Sequence, residues 1–452
     1  MKNLIQKYNI PGPRYTSYPT VPFWDKEGIA SDDWKNSVKK SFIESNDKEG
    51  ISLYIHLPFC ESLCTFCACH KKITTRHEVE QPYIETVLKE WNLYCNLLVE
   101  RPKIREIHLG GGTPTFFSSE NLKKLINGIF KRADKFKIFD FSYEGHPNHT
   151  TKEQLQTLFD LGSRRNSFGI QDYDPKVQKA IHRVQSFEQV KLVNDWSREI
   201  GYESISHDLI FGLPFQTEKS IRNTIKNTIA LKPDRIAYYS YAHVPWIKGV
   251  GQRGFEDTDL PHDSEKRYLY ELGKQLFFDN GYVEVGMDHF ALPTDSLYKA
   301  MESKKLHRNF MGYTAGKTEL MIGLGMSSIS DSWYAFAQNE KDVDDYTERI
   351  NKGELPIFRG HLLTDTDLII RKHILNLMCN LETTWNVGLS ESQKEGIVER
   401  LQEIIADNLV EVTNEKVVVK EEGRKFVRNI CMAFDLRLVE NKPDTRIFSM
   451  TI

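Results

Sequence analysis

One stretch of the sequence reads Tyr54-Ile-His-Leu-Pro-Phe-Cys60-Glu-Ser-Leu-Cys64-Thr-Phe-Cys67-Ala-Cys69. A β-type run, Ile51 to Leu57, leads into a loop in which four cysteines fall within ten residues. The first three of them have the spacing C-x3-C-x2-C. Thiols at this density bind a metal or a cluster, pair as disulfides, or remain free in the core.

Three uses of this loop remain open from the residues alone. Iron–sulfur clusters are held by cysteine thiolates, and three ligands on a four-iron cluster leave one iron free to bind a small molecule. Zinc also takes clustered cysteines, and such a site would use Cys69 as the fourth ligand. Positions 60, 64 and 67 would share one face of a helix, so buried free thiols are the third alternative.

Disulfides are the least favoured use of the seven cysteines. Seven is an odd number, and the N-terminus, Met1 to Tyr8, has no apolar core or cleavage site of a secretory signal. We therefore expect a protein of the reducing cytoplasm. The cysteines outside the loop, Cys95, Cys379 and Cys431, lie in apolar, helix-like segments and are expected to be core residues.

Composition excludes several classes of function. The chain has 452 residues, of which 40% are hydrophobic and 27% charged, as in an ordinary globular protein. Its formal charge of −3 argues against coating nucleic acid or a membrane surface. No stretch approaches the ~20 apolar residues that a membrane-spanning helix needs.

Short strand-like runs alternate with helix-like segments through the first two thirds of the chain. This alternation predicts parallel strands joined by helical crossovers, and six such units make a partial, TIM-like (β/α)6 barrel. A seventh run, Tyr282–His289, is expected to extend the edge of the sheet. The six strand-like runs are Ile51–Leu57, Glu106–Leu109, Ile138–Tyr143, Asn166–Ile170, Ser204–Ile210 and Arg235–Tyr241. The helix-like segments are Tyr83–Val99, Ser119–Arg132, Lys152–Leu161, Pro175–Ile200 with a break, Glu218–Leu231 and Ser264–Asn280.

Polar residues follow each of these strands in turn. In parallel α/β folds the carboxyl ends of the strands meet at one rim, where chemistry gathers. The residues expected at this rim are the cysteine loop, Gly110-Gly-Gly-Thr113, Glu144, Gln171-Asp172, Asp208 and Ala242-His243.

The sequence suggests four parts. Residues 1–48 form an N-terminal arm and residues 49–292 the barrel. Residues 293–360 look like a loop-rich segment that caps the barrel or links it onward. Residues 361–452 are expected to form a separate, mostly helical C-terminal domain.

The ordered set of motifs resembles the oxygen-independent coproporphyrinogen III oxidases (dehydrogenases) of the radical S-adenosylmethionine (SAM) superfamily. The aromatic Phe66 before the third cysteine also fits that superfamily. The motifs that carry the resemblance are Pro13-Arg-Tyr-Thr-Ser-Tyr-Pro-Thr20, the cysteine loop to Cys69, Gly110-Gly-Gly-Thr-Pro-Thr115, Ser167-Phe-Gly-Ile-Gln-Asp172, Asp208-Leu-Ile-Phe-Gly-Leu-Pro214, His307-Arg-Asn-Phe310 and Asn429-Ile-Cys-Met-Ala-Phe-Asp435.

The resemblance implies a cytoplasmic enzyme of haem (porphyrin) biosynthesis. It would convert two propionates of coproporphyrinogen III to vinyl groups, giving protoporphyrinogen IX. It would use a [4Fe-4S] cluster, two SAM molecules and a low-potential electron donor of the flavodoxin or ferredoxin type. No nucleic-acid partner is implied, and a monomer is expected. A haem chaperone of the same superfamily is the alternative, and a zinc-stabilised scaffold is the non-enzymatic one.

The resemblance also implies roles for individual residues. Cys60, Cys64 and Cys67 would hold the cluster, and Cys69 and Tyr54 would serve catalysis. Around the first SAM it places Tyr54, Gly111, Glu144 and Ile329. Around the second it places Phe66, Gly112, Thr113, Gln171, Arg183, Asp208 and Ala242. Candidates to grip propionate carboxylates by forked hydrogen bonds are Arg14, Arg164, Arg165 and Arg308.

Overall fold

A computed structural model of the chain describes residues 2–244, 252, 254–443, 445 and 447–451. Its centre is one sheet of 12 strands, in which the six predicted barrel strands are neighbours and all parallel. The predicted partial barrel is therefore confirmed. The strands of this part are β1 (Ile51–Leu57), β2 (Phe59–Cys60), β3 (Lys72–Ile73), β4 (Lys103–Gly111), β5 (Asp134–Gly145), β6 (Arg165–Gln171), β7 (Ser204–Phe211) and β8 (Arg235–Ser240).

Helices precede the sheet and cover its outer face. The predicted break after Pro175 is present, because one helix ends at Ala180 and the next begins at Phe187. Side chains of Thr151 and Gln154 form a capping box that fixes the start of the helix after the third barrel strand. The helices are α1 (Lys2–Tyr8), α2 (Ser31–Ser45), α3 (Glu80–Leu97), α4 (Ser119–Phe130), α5 (Lys152–Asp160), α6 (Pro175–Ala180), α7 (Phe187–Ile200), α8 (Glu218–Ala230) and α9 (Asp263–Phe278).

Both faces of the first strand are covered. The side chains of Ile51, Leu53, Ile55 and Leu57 are fully buried, and the strand has parallel partners on both sides. The residues between them, Ser52, Tyr54 and His56, form the other face of the strand, so the strand alternates between apolar and polar side chains. This strand carries the chain rigidly into the cysteine loop.

The run Tyr282–His289 does extend the sheet, but as two short antiparallel strands. They are β9 (Val283–Val285) and β10 (His289–Ala291), and the second pairs with β8. Gly286, with φ of +67°, lies in the turn between them.

Residues 293–360 differ from the loop-rich segment that the sequence suggests. Four of their strands join the central sheet beyond β1, the first parallel to β1 and the rest antiparallel. Strands of three to six residues give too little alternation to be recognised from sequence. The elements here are α10 (Ser296–Glu302), β11 (His307–Asn309), β12 (Gly312–Thr314), β13 (Met321–Leu324), β14 (Ile329–Asp331), β15 (Ala335–Asn339), α11 (Val343–Asn351) and β16 (Ile357–Leu362).

The C-terminal part is mostly helical, as predicted, and has a second apolar core. That core includes Ile370, Leu377 and Ile430 but also Tyr15 of the arm and Val285 of the sheet edge. The four-part division of the chain stays a prediction. The elements are α12 (Asp365–Asn380), β17 (Glu382–Thr384), α13 (Glu391–Ala406), β18 (Val410–Val412), β19 (Lys416–Val419), α14 (Val427–Phe434) and α15 (Leu436–Glu440).

The N-terminal arm is fastened to this C-terminal part. The Arg428 guanidinium donates hydrogen bonds to the carbonyls of Gly12, Pro13 and Met450. The Tyr15 hydroxyl donates to Asp435, with 3.0 Å between the oxygens. Within the described residues, no helix is long and apolar enough to cross a bilayer.

Candidate active site

The cysteine loop is closed at its base by a small parallel ladder. The amide of Lys72 donates to the Pro58 carbonyl over 2.9 Å, and the amide of Thr74 donates to the Cys60 carbonyl over 2.9 Å. Inside the loop, the Cys67 amide donates to the Cys64 carbonyl over 3.2 Å. Residues 61–71 form turns and no helix, so the alternative of three thiols on one helix face is wrong.

All four cysteines of the loop line one cavity of about 160 Å³ at the carboxyl ends of the barrel strands. Most of the residues expected from the resemblance line the same cavity, although they come from five different strand ends. They are Phe66, Gly111, Gly112, Thr113, Glu144, Gln171, Arg183 and Asp208.

The sulfurs sit in different electrostatic environments. Burial raises the pKa of the Cys60 thiol to about 11, although the Thr113 hydroxyl lies 3.2 Å from its sulfur. A hydrogen bond from Cys69 lowers the pKa of Cys67 to about 6 and gives that sulfur thiolate character. The Cys64 sulfur is 3.6 Å from a guanidinium nitrogen of Arg183. Cys67 in turn raises the pKa of Cys69, so the protonation of the two neighbouring thiols is linked.

The sulfurs surround the cavity and do not converge on one point. Across the described ranges, no three His, Cys, Asp or Glu side chains are grouped so that they could hold a single metal ion. A zinc site needs four ligands at about 2.0–2.3 Å from one ion. Cysteines of a four-iron cluster bind different iron atoms, so a dispersed arrangement fits a cluster better.

The triple glycine after β4 lets the backbone reach the cavity. A Cβ atom on Gly112 would lie 2.5 Å from the carbonyl carbon and oxygen of Pro58. A Cβ on Gly111, whose φ is +111°, would lie 2.8 Å from the ring of His56. Only glycine fits these two positions, because the segment packs directly against the end of β1 and the residue after it; it lines the cavity with backbone atoms.

Two histidines and a tyrosine support Glu144 and the loop. The Tyr54 hydroxyl donates to Nδ1 of His56 over 3.2 Å, and Nε2 of His56 donates to the His70 carbonyl over 2.9 Å. Burial lowers the pKa of His56 to about 4, so this ring is neutral at pH 7. His108 Nε2 lies 3.4 Å from Glu144 Oε1, and 47% of the Glu144 side chain is exposed toward the cavity.

Arg183 crosses from the cysteine loop to β6. One terminal nitrogen lies near Cys64 and the other donates to the Gly169 carbonyl over 2.5 Å. Its Nε is buried and has no hydrogen-bond partner among the described residues. Buried donors of this kind are normally satisfied, so the unsatisfied nitrogen points to a missing ligand.

Asp208 lies on the wall opposite the cysteines. Its Oδ1 accepts a hydrogen bond from the Ser167 hydroxyl over 2.8 Å. Burial raises the pKa of Asp208 to about 6, and the nearby charge of Glu144 adds to the increase. This carboxylate is a strong acceptor that the protein keeps available at neutral pH.

Three expected contacts lie elsewhere. Ala242 lines a separate cavity of about 370 Å³ beyond the end of β8. Ile329 packs in the cluster of Trp24 and Phe336. Tyr54 lies behind the lining, within van der Waals distance of a Cβ built on Gly110. The roles of these three residues stay predictions.

Several lining residues were missed by the sequence reasoning. They are Glu61, Lys71, His146 and His149. His149 Nδ1 lies 3.2 Å from Glu61 Oε2, which ties the cysteine loop to the segment after β5. Their proximity to the motifs was visible, but their orientation depends on how the loop folds back.

The four candidate arginines separate into two pairs. Arg165 is bidentate to Asp140, at 2.9 and 2.6 Å. Arg164 stacks on the Phe159 ring at 4.0 Å and donates to backbone carbonyls. Arg308 is buried with an Nε that has no partner within the described part of the chain. Arg14 is half-exposed beside the 370 Å³ cavity and lies 3.7 Å from the buried carboxylate of Asp288, so neither Arg14 nor Arg308 is held by a bidentate carboxylate as Arg165 is.

Comparison with known proteins is consistent across three kinds of search. A family model of the radical SAM superfamily matches residues 54–227. The oxygen-independent coproporphyrinogen III oxidase of Helicobacter pylori (strain ATCC 700392 / 26695) is 37% identical over 445 residues, covering 96% of this chain and 96% of the relative. The enzyme of the same name from Escherichia coli (strain K12) is 35% identical over 443 residues, covering 96% of this chain and 95% of the relative.

A solved structure gives the same result for the fold. The coproporphyrinogen III oxidase (HemN) of Escherichia coli, a radical SAM enzyme, superimposes with a TM-score of 0.89 at 31% identity, covering 96% of this chain and 98% of that one. The similarity therefore extends over the arm, the barrel and the C-terminal part alike.

Proposed function

This chain belongs to the oxygen-independent coproporphyrinogen III oxidases of the radical SAM superfamily, and from that premise we propose which of its residues perform the reaction. The enzyme is a SAM-dependent oxidoreductase of haem biosynthesis with a [4Fe-4S] cluster. It oxidatively decarboxylates two propionates of coproporphyrinogen III to vinyl groups and so forms protoporphyrinogen IX without oxygen. Because the relatives of this name match nearly the whole chain, the haem-chaperone and zinc-scaffold alternatives are set aside.

The residues around the 160 Å³ cavity fit the cluster. Cys60, Cys64 and Cys67 line it from one side, and the Arg183 guanidinium beside Cys64 supplies positive charge to an anionic group. Its unsatisfied Nε is the kind of donor that a bound ligand would satisfy. We assign the three cysteines as the cluster ligands on this basis.

When bound, the cluster and SAM together supply a 5′-deoxyadenosyl radical that can remove a hydrogen atom from an unactivated C–H bond of the propionate. The chain's own part is to hold these groups, orient the substrate and exclude water. Gly111 and Gly112 bring backbone to the ligand, and Glu144 and Asp208 offer carboxylate oxygens to amino or hydroxyl groups. The neutral His56 holds the loop to β1 and exchanges no proton at pH 7.

From the family resemblance we further propose that two SAM molecules bind, and eight of the contacts expected for them line the cavity of the cysteines. Gly111 and Glu144, with Tyr54 and Ile329 behind them, would serve the first. The second would use Phe66, Gly112, Thr113, Gln171, Arg183, Asp208 and Ala242. Cys69 would act by its hydrogen bond to Cys67, which keeps that sulfur ready to bind iron.

The remaining partners are inferred from chemistry. Coproporphyrinogen III carries carboxylates. Our candidates to bind them by charge-assisted hydrogen bonds are Arg14, which has a long 3.7 Å pair with Asp288, and Arg308, whose Nε has no partner among the described residues. A low-potential carrier of the flavodoxin or ferredoxin type would supply the electron to a monomeric enzyme. Four crowded thiols that must stay reduced for cluster assembly favour the cytoplasm.

The observation that carries this proposal is the shared cavity, in which three cysteines face Glu144, Arg183 and Asp208. The test is an anaerobic assay of the reconstituted protein with SAM, dithionite and coproporphyrinogen III. We expect protoporphyrinogen IX, carbon dioxide and methionine to form together, and none of them to form without SAM. Stable haem binding with no turnover would contradict the proposal.

A further inference from the structure

The outer side of the cysteine loop carries a cluster of positive charge, which we call the basic face. Its charged members are Lys71, Lys341 and Arg359, and it also contains the rings of His70 and Phe358. Lys71 belongs to the cysteine loop itself. Lys341 follows β15 and Arg359 lies on β16, the outermost strand on this side of the sheet.

The basic face is directly connected to the cluster ligands. Lys71 Nζ donates to the Cys67 carbonyl over 3.1 Å and to the Cys69 carbonyl over 3.3 Å. His70 follows Cys69 directly and is exposed, and its carbonyl is held by His56. Lys341 follows Glu340, whose carbonyl accepts a hydrogen bond from the Ser327 amide over 2.6 Å, and a Cβ built on nearby Gly325 would lie 2.6 Å from the His56 carbonyl oxygen. Lys341, Arg359 and Lys71 also lower the pKa of His70, after the effect of burial.

The groups that contact these three cations within the described residues are uncharged. Arg359 Nε donates to the amide oxygen of Gln338 over 2.8 Å. Lys341 Nζ lies over the Phe358 ring, 4.8 Å from its centre. Lys71 contacts the two carbonyls described above. No carboxylate pairs with these three cations among the described residues. Lys341 and Arg359 are partly exposed, whereas Lys71 also lines the cavity of the cysteines.

The acidic side chains next to these cations are engaged elsewhere. Glu340, before Lys341, lies 3.2 Å from Arg349. Asp342 accepts a hydrogen bond from the Asp344 amide and so caps α11. Asp25, in the arm, lies 2.9 Å from His361. The chain as a whole has a formal charge of −3, so the basic face is a local feature.

An exposed apolar side chain lies within the charged set. Phe358 is 50% exposed although it is on a strand of the main sheet. Arginine and exposed aromatic side chains are enriched in protein–protein contacts, and the two lysines would belong to the polar rim of such a contact. Charge set around the contact steers an oppositely charged partner to it.

We propose that the basic face is the docking surface for an acidic, single-electron carrier protein that reduces this enzyme. The inference rests on the proposed function, which requires an external donor of one electron for each SAM cleaved. The carrier loses one electron, for example from a flavin hydroquinone to its semiquinone, and the group held by the three cysteines gains it. Docking here places the carrier next to the loop that holds that group.

The test compares Lys341→Glu with Lys394→Glu in the reconstituted full-length protein. Lys394 is a matched control because it is also a half-buried lysine over an aromatic ring, 5.7 Å from the centre of Trp385, but lies on α13 of the C-terminal part. The probe is a recombinant flavodoxin, and the primary measurement is its affinity for each immobilised protein at several salt concentrations. The second measurement is the rate at which flavodoxin hydroquinone bleaches the cluster colour.

We expect Lys341→Glu to weaken flavodoxin binding and to slow bleaching by about tenfold at low salt. The difference should shrink at about 0.5 M salt, where exposed charges are screened. Lys394→Glu should match the wild type. Dithionite, which needs no docking surface, should reduce all three proteins equally and support product formation in all of them.

Two results would overturn the proposal. One is a Lys341→Glu protein that binds flavodoxin as the wild type does. The other is a raised KM for coproporphyrinogen III with dithionite as the reductant, which would assign the basic face to the anionic substrate. A wild type that forms no product even with dithionite would refute the proposed function instead, and the binding measurement would still test the docking surface.

Discussion

Two cavities of the barrel share a wall, but their charges are arranged in opposite ways. The cavity at the rim holds the cysteines, and a second cavity of about 120 Å³ lies within the barrel. Glu144 and Asp208 line both. In the inner cavity each arginine has its own carboxylate, since Arg165 is bidentate to Asp140 and Arg235 Nε lies 2.6 Å from Asp295.

At the rim, some polar groups lack hydrogen-bond or charge partners. Arg183 has a buried nitrogen with no partner in the described part of the structure, and Glu144 is half-exposed with only a histidine nearby. Ion pairs inside a barrel stabilise the packing of its strands, whereas polar groups without hydrogen-bond partners at the strand ends are available to bind a ligand. Changes at the rim should therefore alter binding and chemistry, and changes in the inner cavity should alter stability.

The largest effect is expected for Cys64→Ser at the rim. Serine cannot replace a thiolate ligand of iron, so the reconstituted variant should lack the brown colour of the cluster and form no product. Iron and sulfide analysis with the anaerobic assay measures both. Cys95→Ser, at a buried thiol on α3, is the control and should keep cluster and activity. An intact cluster in the Cys64 variant would contradict the ligand assignment.

Asp295→Ala should have the largest effect in the inner cavity. It leaves the buried Arg235 guanidinium without its carboxylate, and removing one member of a buried pair costs about 3–5 kcal/mol of unfolding free energy. Urea denaturation of the apoprotein measures this loss. Glu348→Gln breaks the exposed pair with Lys352 and should leave the denaturation midpoint unchanged. If the two variants were equally stable, the inner pair would not be structural.

Gly112→Ala tests the glycine segment at the rim. The added methyl would meet the Pro58 carbonyl at 2.5 Å, and this is backbone that cannot rotate away. Overpacking of this kind costs about 1–3 kcal/mol of unfolding free energy. Relief of the clash must shift the backbone that lines the cavity, so SAM affinity should also fall. Equilibrium dialysis with labelled SAM measures it. Gly396→Ala on α13 meets only the flexible end of Arg400 and should bind SAM normally.

The smallest effect on stability is expected from removing a carboxyl charge. Its sign should differ between Asp208, which faces the rim, and Asp140, the partner of Arg165. Burial raises the pKa of Asp208 to about 6, above its value in the unfolded chain. The charged form of Asp208 therefore lowers the unfolding free energy, and this loss is complete above pH 6. As the pH falls from 6 toward 4, protonation of the folded state removes the loss. Asp208→Asn should raise the unfolding free energy by about 1–2 kcal/mol at pH 7.5 and lose that gain near pH 4. It should also weaken SAM binding.

Asp140→Asn in the inner cavity is the matched variant. Burial alone would raise the pKa of Asp140, but the Arg165 guanidinium outweighs it and holds the pKa below its usual value. The carboxylate therefore stabilises the fold at neutral pH, and the stability is lost as the pH falls through that lowered pKa. The asparagine variant should be less stable at pH 7.5. Denaturation curves at pH 7.5 and pH 4 separate the two signs, and equal signs would remove the distinction between the cavities.

Much of the barrel and of the rim could be predicted from the sequence. Strand-like runs such as Ile51–Leu57 that alternate with helix-like segments indicate parallel strands, and parallel strands place their carboxyl ends together. That rule predicted that Gly112, Glu144 and Asp208 lie near the cysteines, and all of them line one cavity. It could not find β13 to β16, because strands of three to six residues leave no clear period.

The sequence by itself determined which chemistry is present, since C-x3-C-x2-C and the motifs after each strand are local patterns whose residue types decide what can be bound. Only the tertiary structure decided which polar groups are free to act. Arg165 and Arg183 look alike in sequence, yet one is neutralised by Asp140 and the other keeps an unsatisfied nitrogen beside Cys64. The physical reason is that pairing and burial depend on residues distant along the chain, which only folding brings within hydrogen-bond distance.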